Sequence, residues 1–134
     1  MRHRLLHIGR WAVEFLFSDD EYDIVDVLYT LYDTNAPTRI INRALDIMNS
    51  GKLNTGFTYT NPEERLAVVV IGPTSSGKEF INTLVHEIHH VAVAIADSLG
   101  IDLESETPAY IAGDSVRDLA DLICFLGCDK CRKQ

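Results

Sequence analysis

VVVIGPTSSGKEFINTLVHEIHHVAVAIADSLG, from Val68 to Gly100, carries two motif matches almost end to end. Gly72 to Lys78 spells GPTSSGK, which fits a glycine-rich phosphate loop. His86 to His90 spells HEIHH, which fits the H-E-x-x-H pattern of a metal-binding helix. A chain of 134 residues has room for one of these chemistries, and the choice sets the reading of everything around it.

The phosphate reading fails at one residue. Its pattern, G-x-x-x-x-G-K-[ST], ends in a hydroxyl that binds magnesium, and here that position is Glu79. A carboxylate beside a triphosphate repels the group the loop exists to attract. The residues after Lys78 also hold no apolar strand ending in an aspartate, the usual second magnesium contact. The same letters have a plainer meaning: Ser76-Gly77-Lys78-Glu79 is the S-x-x-E capping box, so GPTSSGK reads as the turn from a strand into a helix.

HEIHH is stronger. His86 and His90 are four apart, so a helix stacks them on one face with both imidazoles able to reach one ion. Glu87 follows the first histidine, where its carboxylate can approach a metal-activated water and take its proton as general base. The competing reading makes HEIHH the wet side of a core helix whose apolar positions are Ile81, Leu84, Val85, Ile88, Val91, Ala92 and Ile95. A third ligand separates the two, and Asp102, Glu104 and Glu106 are all offered just before, or at the start of, the next helix.

Working outward, Trp11–Phe17 (WAVEFLF) reads as a first strand, and the basic, interrupted N-terminus before it as part of the fold, itself a strand. Ile24, Val27, Leu28 and Leu31 recur at helical spacing behind the acidic DDEYD. A break at Thr34–Pro37 leads to a second helix ending before Gly51. Residues 55–60 and 65–72 flank Asn61-Pro62-Glu63-Glu64 as a hairpin. Helices over 78–99 and from 105–108 to about 125 complete an α+β domain spanning 1–134, with 127–134 expected as a frayed tail. Cys124 is expected in the core, with Cys128 and Cys131 as free thiols on that tail.

A net charge of −8 and the absence of a basic stripe exclude a phosphate-backbone binder, so no nucleic-acid partner is expected. No apolar run is long enough to span a membrane. Three cysteines, all near the C-terminus, form no disulfide framework, which points to a reducing, cytoplasmic setting.

HEIHH followed by Glu106-Thr107-Pro108-Ala109-Tyr110 resembles the gluzincin pattern, in which a glutamate on the next helix is the third zinc ligand. The run from TGFTYTN through HEIHH to ETPAYIAGD, roughly residues 55–115, is similar to small zincin-like proteins encoded in phage and prophage gene clusters. The resemblance implies a minimal zincin-like domain with metallopeptidase chemistry: Zn²⁺ on His86, His90 and Glu106, Glu87 as base, and a peptide or protein substrate laid along Leu66–Ile71 as an edge strand. The departures are a gap of only fifteen residues between His90 and Glu106 and no aspartate four after Glu106, which keeps Glu104 as the alternative ligand. The second reading is a non-catalytic, phage-associated binding or assembly protein with a structural metal. His89 is expected as a solvated or packed histidine rather than a contact to substrate or a neighbouring carboxylate, Asp97 on the metal face as an ordinary helix-end charge, and Tyr110 as a helix-packing residue or an oxyanion donor.

Overall fold

The structure, a computed structural model, describes residues 1–133. In chain order the elements are β1 (Arg2–Ile8), β2 (Trp11–Phe17), α1 (Ile24–Asp33), α2 (Thr38–Asn49), β3 (Gly56–Asn61), β4 (Leu66–Ile71), α3 (Gly77–Ser98), α4 (Thr107–Asp118), α5 (Ala120–Leu126) and α6 (Asp129–Arg132). The strands form one sheet in the order β1-β2-β4-β3. This is a mixed α+β architecture, and it follows from the strands' side-chain alternation.

β4, LAVVVI, has no polar side chain because it has no wet face. Ala67, Val69 and Ile71 pack with Trp11, Val13, Phe15 and Phe17 of β2 under the α3 residues Phe80, Leu84, Ile88, Val91 and Ile95. Val68 and Val70 point the other way, with Leu16, Phe57 and Tyr59, into a second core roofed by α1 (Val27, Leu31) and α2 (Ala44, Met48). A strand covered on both sides reads as a continuous apolar run. β4 pairs parallel with β2 and antiparallel with β3, so it is central. That corrects the expectation that Leu66–Ile71 is the edge for a peptide; both of its edges are already hydrogen-bonded, and the free edge on that side of the sheet belongs to β3.

The N-terminal stretch is a hairpin. β1 and β2 pair antiparallel around Gly9-Arg10, and Gly9 takes a φ of 57°, a left-handed conformation that glycine adopts without strain. At the far end of the chain, the expected single helix to about 125 is two. Leu119, fully buried, ends α4 and begins α5 at φ −100° and ψ 7°, and the break brings both Leu119 and Leu122 into the core beneath α3. Arg4 of β1 holds Asp121 of α5 through two bonds of 2.6 and 3.2 Å. That partner depresses the Asp121 carboxyl, so the tether's contribution is present above the ordinary carboxylate pKa and is lost only as pH falls through the lowered one.

Residues 127–133 are not a frayed tail. Asp129 accepts the Gly77 amide at 2.7 Å and Arg132 donates to the Thr74 carbonyl at 2.8 Å, so the segment docks on the start of α3; Gln134 lies outside the described residues. Cys124, expected in the core, is exposed, because the break at Leu119 turns its side of α5 to solvent. Cys128 and Cys131 are free thiols. The Cys131 amide, then the Cys131 thiol and the Lys130 amide, hold the Cys128 thiol below its ordinary range, while the bond to Cys128 pushes Cys131 up. Because the thiolate is the nucleophile, iodoacetamide at neutral pH should alkylate Cys128 before Cys131, as read by peptide mass spectrometry; the reverse order would refute this polarisation.

Candidate metal centre

α3 starts as the capping box predicts in one direction. Ser76, in extended backbone geometry, accepts the Glu79 amide at 3.2 Å, while the return bond from Glu79 is not made. The helix then runs unbroken through HEIHH. Glu87 and Ile88 face inward, whereas His86, His89 and His90 are exposed, so His89 is the solvated rather than the packed histidine. GPTSSGK is therefore the strand-to-helix turn, and no phosphate cradle is needed to explain it.

One helical turn brings His86 Nε2 and His90 Nε2 to 3.3 Å, with the rings edge-on at a centroid distance of 4.9 Å. Two imidazole nitrogens this close need a proton or a cation between them, since their lone pairs otherwise repel. The spacing also fits a metal. Zinc–nitrogen bonds of about 2.0–2.1 Å put two ligands of a tetrahedral ion about 3.3 Å apart, and 3.3 Å is the separation found. His86, Glu87 and His90 together form a group that could hold a metal ion, with one ligand atom from each lying within 4.8 Å of the others.

Within that group Glu87 differs from its neighbours. Its Oε2 is 3.9 Å from His86 Nε2, beyond the contact of two ligands on a tetrahedral ion. The His86 side chain is 69% exposed, whereas that of Glu87 is 6% exposed. A buried carboxylate is costly unless partnered. Oε1 accepts the Thr58 hydroxyl at 3.1 Å, and Oε2 lies on the side of His86.

β3 makes that burial possible. Its Thr58 faces α3 because Phe57 and Tyr59 face the opposite core. Gly56 lets the two elements approach: a Cβ there would stand 2.8 Å from the Val70 carbonyl and 3.1 Å from Glu87 Cγ. Hollows of about 340 and 390 Å³ flank the group along β3 and share Gly56, His86 and Glu87. The first is closed by Ile40 and Arg43 of α2, the second by Asn54 and Asn82. Together they form one groove that runs past the histidines beside the sheet's open edge.

Glu104 and Glu106 are not brought into this group. Both are exposed; Glu106 is the N-cap of α4, and Glu104 precedes it in the loop, its amide bonded to Asp102. Asp97 and Tyr110 are also exposed, and neither lines the groove. Sequence reasoning missed Gly56, Thr58 and Arg43. The alternation of GFTYT does put Gly56 and Thr58 on one face, but nothing in it tells that this face meets Glu87.

Thr58→Val should cost about 1–2 kcal/mol, because it removes a hydrogen bond to a buried charge while keeping the shape. The loss would appear as a lower urea midpoint at unchanged slope, and Thr58→Ser should restore most of it. A neutral Thr58→Val would remove this hydroxyl as the support of Glu87.

The chain matches no protein-family model, no curated protein and no solved structure.

Proposed function

We propose that the protein is a zinc-dependent hydrolase of minimal zincin-like design, acting on peptide bonds. The observation that carries this reading is the pair of histidine nitrogens 3.3 Å apart beside a buried, singly hydrogen-bonded carboxylate in a groove along an edge strand. His86 and His90 would hold the ion, and two imidazoles favour zinc over calcium or magnesium. Zinc, when bound, supplies a Lewis acid that polarises a carbonyl and brings the pKa of water towards neutrality.

The chain's own groups have separate tasks. Glu87, at the back of the groove, accepts the proton of the attacking water, and Thr58 holds its carboxylate in position. β3 is paired only with β4, so its outer edge offers backbone groups to an extended peptide. The order of strand, HEIHH helix and following helix supports the zincin-like reading.

The structural-staple alternative loses ground here. An ion held by two side chains of one helix joins no separate parts of the fold, so it has nothing to staple unless a third donor comes from elsewhere. Elemental analysis of protein purified without chelators tests the site: about one zinc per chain, lost in His86→Ala and in His90→Ala, is the expected result. Glu106→Ala and Glu104→Ala are both expected to leave zinc content intact, since neither carboxylate is brought to the histidines. Zinc-free wild-type protein would end the reading.

A further inference from the structure

A second cavity lies at the other end of α3, away from the histidines. It has a volume of about 640 Å³ and shares no lining residue with the groove. The turns of the two hairpins, the last turn of α3 and the first turns of α4 enclose it. Trp11, Ile95, Leu99 and Ile111 give it apolar walls, and Arg10 and Arg65 stand at its rim. This size and character, apolar with a few polar groups at one side, are those of a small-molecule site.

The rim carries two arginines in a chain of net charge −8. Arg10 and Arg65, like Arg39 and Arg43, are in no ion pair among the described residues, but only Arg10 and Arg65 stand together on one cavity. Arg65 also holds a φ of 55°, in the left-handed region where a long side chain is strained and Gly or Asn is at ease. The lining contains one acid, Glu63, which leaves the cation balance positive. Two unpaired guanidiniums above an apolar hollow complement a molecule with an anionic head and an apolar body.

We propose that this cavity binds an apolar monocarboxylate of medium chain length, its chain among Trp11, Ile95, Leu99 and Ile111 and its carboxylate at Arg10 and Arg65. Arginine presents a planar fork that suits a carboxylate bidentately, so an alcohol of equal length lacks the contact that selects the ligand. The site is separate from the proposed metal centre and does not depend on zinc.

The protein carries its own reporter, since Trp11 is the only tryptophan, lines the cavity and is 2% exposed. Titrating the full chain with octanoate and decanoate should give a saturable, one-to-one change in its emission. Each added methylene should tighten binding about fourfold. Decanol should bind about 10–100-fold more weakly than decanoate, and the double variant Arg10→Gln/Arg65→Asn should lose the same factor for decanoate. Both positions are exposed and Asn is at ease at φ 55°, so the variant should keep its fold; the wild-type comparison of acid with alcohol stands in any case. Equal binding of decanol and decanoate would overturn the proposal. So would the absence of any saturable change, both in Trp11 emission and in the methyl resonances of Ile95 and Ile111.

Discussion

On the proposed function, Glu87→Gln is expected to keep bound zinc and to lower peptide hydrolysis by about 10²–10⁴-fold, the range for loss of a general base. The substitution preserves shape, and the amide oxygen can still accept from Thr58, so the groove should stay intact. What disappears is the ability to take a proton. The geometry makes the two halves of this prediction separable. A Glu87 that was itself a ligand would sit about 3.3 Å from the histidine nitrogens, whereas its Oε2 is 3.9 Å from His86 Nε2. Zinc content by elemental analysis and hydrolysis of an unstructured protein substrate, measured on the same sample, decide between the roles. Loss of zinc together with activity would make Glu87 a ligand. Retention of both would take it out of the chemistry.

Gly77→Ala should destabilise the protein by about 3 kcal/mol, although helix propensity alone predicts a gain of about 0.5–1 kcal/mol. Gly77 opens α3, and a Cβ there would lie 2.2 Å from the Gly127 carbonyl oxygen and 2.4 Å from its carbon. Both are backbone atoms, which cannot swing aside as a side chain would. Relief requires residues 127–133 to lift away, and with them goes the 2.7 Å bond from the Gly77 amide to Asp129. Gly113 is the internal control. It sits in α4, is exposed, and a Cβ there would meet nothing within 4 Å, so Gly113→Ala should follow propensity and stabilise slightly. Urea midpoints of the two variants, moving in opposite directions, are the expected result. A Gly77→Ala protein as stable as Gly113→Ala would mean that the C-terminal segment is not docked.

Local rules carried most of the element reading. The alternation of WAVEFLF, the apolar stripe of α1, the Gly51 stop and the S-x-x-E start of α3 each depend on a few neighbouring residues, and each lies where those rules put it. What the sequence did not disclose are relations between distant segments. LAVVVI is consistent with any strand buried on both faces. Its central place arises from parallel pairing with β2, which no local pattern encodes. The break at Leu119 and the docking of Asp129 on Gly77 likewise depend on what lies across the core. In the candidate site, His86, Glu87 and His90 were legible because they sit on one helix at a fixed spacing. Thr58 comes from another strand, and its contact with Glu87 exists only because Gly56 lets that strand approach. The exposed position of Glu106 at the head of α4 was equally out of reach, since a loop's path is not written in periodicity.

The parallel seam between β2 and β4 also sets the order in which this molecule can assemble. β1–β2 and β3–β4 are hairpins closed by short turns, events of microseconds. The seam joins them across a crossover that includes α1, α2 and β3, and so carries the entropy of closing a long loop before any contact repays it. Neither core exists until that step, because β2 and β4 supply both of its faces. α3 has no apolar floor before then, and Glu87 no strand to be buried against. Competence of the groove is therefore tied to the slowest passage in refolding, and the hydrolysis proposed for it should rise in step with the global signal, without an early phase.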